Sequence, residues 1–148
     1  MLNAANANAT MLVFFSAHCP CVRAHDARLV ALARAYESKG VHVFAIDSEV
    51  DATVARDARE ASARGYPFPI LIDPHGKVAS ELGAEYATYT VVLDAKGHVR
   101  YRGAFDDQRT DLRPGETSYA RDALDDVLAG RSVRRTDVDA LGCALRTW

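Results

Sequence analysis

An apolar, β-prone run, Met11-Leu12-Val13-Phe14-Phe15, stops at Ser16-Ala17-His18 and hands over to Cys19-Pro20-Cys21-Val22, where a helical pattern begins. Residues 11–16 have the length of a buried parallel strand. From Pro20 to about Ser38, Val22, Leu29, Leu32, Ala33 and Tyr36 share one helical face, and Gly40 follows as a stop signal. The junction falls at the carboxyl end of the strand, where open α/β sheets place their sites. Pro20 suits the first helical position, because its missing N–H would have been unpaired there anyway. The open N–H groups and partial positive charge of a helix N-terminus favour thiolate over thiol. Cys19 is thereby presented as an activated sulfur, and thiol chemistry is the function to test.

The remaining pattern continues the alternation. Val41–Asp47 reads as a second strand, 51–63 as a polar, alanine-rich helix closed by Gly65, and Ile70–Ile72 as a short third strand entered through Tyr66-Pro67-Phe68-Pro69. Asp73-Pro74-His75-Gly76 is a turn, and Lys77–Leu82 a short helix ended by Gly83. Thr90–Asp94 and His98–Arg102 form a hairpin around Ala95-Lys96-Gly97, and after a polar loop Tyr119–Ala129 is a closing helix. Early alternation implies parallel strands, and the late hairpin adds antiparallel ones. The expectation is an α/β fold, a three-layer α/β/α sandwich with a central mixed β-sheet. Residues 1–10 read as an N-terminal extension, 11–130 as one domain, and 131–148 as an arm that carries Cys143.

The 148 residues suit a single core, and a net charge of −2 gives no reason to expect nucleic acid as a partner. No apolar run approaches the roughly 20 residues of a membrane span. The Ala/Asn-rich start has no positive charge and no long apolar segment, so it does not read as a secretory signal. The chain as it stands reads as cytoplasmic; a removed leader would make it periplasmic. Three cysteines, two of them one residue apart, point to reactive or metal-binding sulfur rather than a disulfide scaffold.

With Phe14-Phe15-Ser16-Ala17-His18-Cys19-Pro20-Cys21 at the first strand–helix junction, the order of elements resembles the thioredoxin-like superfamily. It is closer still to the redoxins of the alkyl hydroperoxide reductase/thiol-specific antioxidant type. Phe68–Asp73, Val92–Gly97, Tyr101–Asp107 and Gly142-Cys143 match in order. The resemblance implies an antioxidant oxidoreductase with a redox-active disulfide and no other cofactor. Its substrate would be a protein or small-molecule disulfide, or a peroxide, and a thiol its electron donor. The exposed hairpin and tail could support a homodimer.

Two departures stand out. Val22 occupies the second cysteine position of the thioredoxin Cys-x-x-Cys, while Cys21 lies inside the motif. The family's Thr-Pro is matched only by Ala87-Thr88, without proline, which brings Thr88 toward the thiol in a peroxiredoxin-like manner.

These residues leave three chemistries open. In thiol–disulfide exchange, Cys19 is the nucleophile and Cys21 or Cys143 resolves, with Arg23 and His25 as helpers one turn on. Residues two apart diverge on a regular helix, so a Cys19–Cys21 bond requires non-helical torsions at Cys19. Cys143 on a mobile arm would be the resolving cysteine of a two-cysteine peroxidase. In a peroxidase, Ser16 fits the position three residues before the reactive cysteine, Leu12 stands where proline is usual, and Arg102 is the candidate cation. A metal-binding or interaction module would use Cys19, Cys21 and His18 as soft and imidazole ligands. His42, His75 and His98 read as structural or surface residues, and Asp106-Asp107 as a turn or cap.

Overall fold

The computed structural model describes residues 6–139 and 142–147. Residues 1–5 of the expected extension, and 140, 141 and 148 of the expected arm, lie outside them. In chain order, β1 (Ala9–Phe15), α1 (Pro20–Glu37), β2 (Val41–Asp47), α2 (Val54–Ala63) and β3 (Ile70–Ile72) alternate. A 3-10 turn at Pro74–Gly76 then leads into α3 (Lys77–Leu82). β4 (Thr90–Asp94) and β5 (Val99–Gly103) form the hairpin, followed by α4 (Tyr119–Leu128) and β6 (Asp137–Val138). The sheet runs β3-β2-β1-β4-β5-β6. β1, β2 and β3 are mutually parallel, β4 is antiparallel to β1 and β5, and β6 lies parallel to β5.

The two-residue period of β1 divides the core. Met11, Val13 and Phe15 pack with Val22, Leu29 and Leu32 of α1 and with Ala123 and Leu124 of α4. Leu12 and Phe14 face the other way, onto Ala79 of α3, Ala84 and Tyr89. The crossovers β1–α1–β2 and β2–α2–β3 step in one direction, so right-handed connections put α1 and α2 on one face. There Arg64, at the end of α2, pairs with Asp26 of α1 at 3.1 Å. α3 covers the opposite face. The result is the expected three-layer α/β/α arrangement around a mixed sheet.

β5 is shifted by one residue from the expected His98–Arg102 and α4 ends one residue early, and three further boundaries differ from the sequence reading for a visible reason. β1 starts at Ala9, because Ala9 and Thr10 pair with Val41 and His42 and are buried. α2 starts at Val54, because the Thr53 hydroxyl accepts from the Arg56 amide and caps the helix. The C-terminal segment, expected to be a mobile arm, is docked at both ends. Its first part contributes β6, and Ala144 forms an antiparallel bridge with Tyr86. Two glycines admit it. A Cβ on Gly103 (φ 137°) would collide with the Val138 backbone, and one on Gly142 would stand 2.6 Å from the Ala87 carbonyl oxygen.

Candidate active site

α1 is entered through Cys19, which occupies its N-cap with extended torsions (φ −89°, ψ 118°) and Pro20 behind it. The Cys19 carbonyl accepts from the Arg23 amide at 3.2 Å, which starts the helical ladder. Cys21 lies one residue inside the first turn. Cys143 arrives from the far end of the chain, and the Sγ atoms of all three cysteines lie within 4.8 Å of one another. All three are free, with Cys19 and Cys21 buried and Cys143 partly so. Burial pushes the Cys21 thiol up, and the neighbouring Cys19 sulfur, through its charge and a hydrogen bond from Cys21, pushes the same way. Burial likewise pushes Cys143 up to about 12, again helped by its hydrogen bond to Cys19 and by Cys19's charge. Arg109 and a hydrogen bond from Cys143 oppose the shift at Cys21, and the Cys21 backbone amide, directed at the Cys143 sulfur, opposes it there.

The strap that delivers Cys143 is held by pairing and by charge. The Ala87 amide donates to the Cys143 carbonyl at 2.9 Å, and the Leu145 amide to the Glu85 carbonyl at 2.9 Å. Glu49, buried at the end of β2, accepts from the Arg146 amide at 3.0 Å and from its Nε at 3.2 Å. The other Glu49 oxygen accepts from the Ser16 hydroxyl. Arg146 also reaches Asp51 at 2.9 Å, and Asp51 in turn meets His18 Nε2 at 3.1 Å. Burial would raise the Glu49 and Asp51 carboxyls, but these donors outweigh it and hold both below the usual range. Ser16 and His18, on either side of the turn before Cys19, thus tie that turn to the strap. Asp47 supports the platform by accepting from the Glu49 amide at 2.9 Å, and burial pushes its own carboxyl up to about 7.

Beneath the first turn of α1 lies a buried ion cluster. His25 Nδ1 is 2.8 Å from the Cys21 carbonyl oxygen and Nε2 is 2.9 Å from Asp106 Oδ1. Arg28 donates to Asp106 Oδ2 at 2.8 Å, and the Gln108 amide to Oδ1 at 2.9 Å. Burial opposes charge on both His25 and Asp106, yet their mutual bond and the backbone contacts prevail. His25 is raised and Asp106 lowered. A carbonyl can only accept, so Nδ1 carries a proton; facing an ionised carboxylate, Nε2 carries the other. The first turn of the cysteine helix therefore rests on an imidazolium.

Several expected residues stand elsewhere. Arg23 has an exposed side chain on α1, and the cation whose charge acts on Cys21 is Arg109. Arg102 pairs with Asp137 at 3.6 Å on the β5–β6 edge, in a separate depression of 520 Å³ with Gly83, Tyr86 and Tyr89. His18 does not join Cys19 and Cys21 as a ligand, because its ring is exposed and turned to Asp51; the third member of the sulfur group is Cys143. Asp106 does cap a turn at Gln108, but it is also the buried counter-ion of His25. Thr88 adopts φ 75°, a strained value for a β-branched residue, held by its amide bond to the Phe14 carbonyl. It shares a 190 Å³ cleft with His25, Phe105 and Arg109. Nothing in the polar loop singled out Arg109, and Glu49 carried no motif at all.

The sequence pattern of the redoxin family matches residues 2–124. A hypothetical protein from Sinorhizobium meliloti 1021 is 31% identical with a TM-score of 0.86, over 98% of this chain and 82% of that one. An uncharacterized conserved protein from Geobacillus kaustophilus is 32% identical with a TM-score of 0.87, over 99% and 81%. A secreted Mycobacterium tuberculosis disulfide oxidoreductase homologous to E. coli DsbE shares the fold at 18% identity and a TM-score of 0.57, over 86% and 84%. No curated protein matches the chain significantly.

Proposed function

The chain belongs to the redoxin family, and from that premise we propose that it is a thiol–disulfide oxidoreductase whose nucleophile is Cys19 and whose resolving residue is Cys143. The observation that carries this reading is the meeting of three free sulfurs within 4.8 Å at the N-terminus of α1. The Cys19 thiolate attacks one sulfur of a substrate disulfide. A Cys19–substrate disulfide forms, and the other substrate sulfur leaves with the electron pair and takes up a proton. Cys143 then attacks the Cys19 sulfur, and the second substrate thiolate leaves. The substrate gains two electrons, the protein ends with a Cys19–Cys143 disulfide, and an external thiol restores the reduced form.

The surroundings of Cys143 change in step with this sequence. Two of the influences that hold its proton come from Cys19. They disappear once Cys19 is tied up in the mixed disulfide, while the Cys21 amide remains to support a thiolate on Cys143. Cys21 meets the torsional condition for a bond to Cys19, but a ring closed over the single intervening Pro20 is the more strained choice. A peroxide substrate has less support, since the Ser16 hydroxyl is committed to Glu49.

Insulin reduction driven by dithiothreitol tests the activity, and peptide mapping of the oxidised protein tests the resolver. Catalysis that disappears in Cys19→Ser, with a Cys19–Cys143 link in the wild type, is the expected result. A Cys19–Cys21 link would move the resolving role, and peroxide consumption without insulin reduction would replace the reading.

A further inference from the structure

We infer that the three-cysteine cluster is also a binding site for a soft monovalent metal ion, Cu(I), held by Cys19, Cys21 and Cys143 alone. Its donor set is all sulfur. Three Sγ atoms lie within 4.8 Å of one another, two of them buried among apolar side chains that include Phe15, Phe68 and Phe105. Metal–thiolate bonds of about 2.3 Å around a central ion require sulfurs about 4.0 Å apart. Each sulfur then has to move inward by about half an ångström at most, within reach of small side-chain rotations.

The neighbouring imidazoles are unavailable as a fourth ligand. Both His25 nitrogens are engaged, by the Cys21 carbonyl and by Asp106, and the His18 ring faces Asp51. Thiolates bind both zinc and Cu(I), but zinc prefers four ligands in a tetrahedron, so the count of three sulfurs is what favours Cu(I). Arg109 supplies positive charge beside the anionic complex that forms.

No electron transfer is involved. Whatever S–H protons the cluster carries leave to solvent, three Cu–S bonds form, and copper stays monovalent. The loaded cluster has no free sulfur for exchange, so metal binding and disulfide chemistry exclude each other.

The test is anaerobic titration of the reduced full chain with Cu(I), against a chromophoric Cu(I) chelator, and the same titration with Zn(II). The expected outcome is one Cu(I) per chain, X-ray absorption showing three sulfur neighbours with no nitrogen or oxygen, and at least a tenfold loss of affinity in Cys143→Ser. Cys143 is partly exposed on the strap, and circular dichroism verifies that this variant remains folded. Two sulfur neighbours, an affinity unchanged in Cys143→Ser, or zinc held as tightly as copper would each overturn the assignment. Insulin reduction by metal-free protein is scored separately, so loss of one property leaves the other standing.

Discussion

The cysteines reach the same point by two different routes. Cys19 and Cys21 are set by local rules: a buried strand ends, an N-cap turns the chain, and proline starts a helix. Cys143 is set by distance. It depends on Ala87, Glu85, Glu49 and Asp51, each many residues away in sequence. A helix terminus holds a sulfur rigidly, whereas a strap held by three backbone bonds and one arginine can leave and return. The contrast suits a reaction in which one sulfur must be constantly ready and the other must arrive second.

The largest effect is expected where the rigid side is broken. Cys19→Ser should slow disulfide reduction by about a thousandfold or more, about 4 kcal/mol of barrier, in the insulin assay. Next comes the support under the helix. Asp106→Asn strands a buried imidazolium and should cost about 3 kcal/mol of stability in denaturant unfolding. The sign with pH follows from both partners. His25 is raised, so its contribution is complete below about pH 6.5 and is lost as pH rises through the higher folded value. Asp106 is lowered, so its contribution is complete above about pH 3.9 and is lost as pH falls through the lower folded value. The stability gap between wild type and Asp106→Asn should therefore be widest between about pH 4 and 6.5, and a pH series of melts would show it.

Breaking the strap side should do less. Cys143→Ser should lower turnover by about tenfold, ~1.4 kcal/mol, and trap the Cys19–substrate mixed disulfide, visible by mass spectrometry. Equal turnover in Cys143→Ser would erase the division of labour. Smallest of all, Arg146→Gln should lower stability only slightly in denaturant unfolding, since that guanidinium is half exposed. The strap would loosen, and Cys19 alkylation by iodoacetamide should accelerate a few-fold.

The same contrast explains what could be read in the sequence. The strand–helix alternation and the place of Cys19 follow from periodicity, proline and glycine within short windows, and β2, β3, α3 and β4 appear at their expected bounds. Ser16 and Cys143 could be named as residues of interest, but their partners could not. Glu49 and Asp106 look like any loop acid until folding brings Arg146 and His25 to them across 97 and 81 residues. Arg109 is one of many arginines in polar segments, and only the fold turns its charge on Cys21. Gly142 was visible as part of a Gly-Cys pair, but the carbonyl it makes room for was not.

The two-residue strand β6 has a consequence beyond the sulfurs. It sits on the outer rim of β5, pairing Asp137 with Arg102 and Val138 with Gly103. Uncovered, that rim would offer unpaired amides and carbonyls to any passing chain. Substitutions that unpair the segment would therefore show themselves first as self-association and poor solubility, with Cys143 still in the chain.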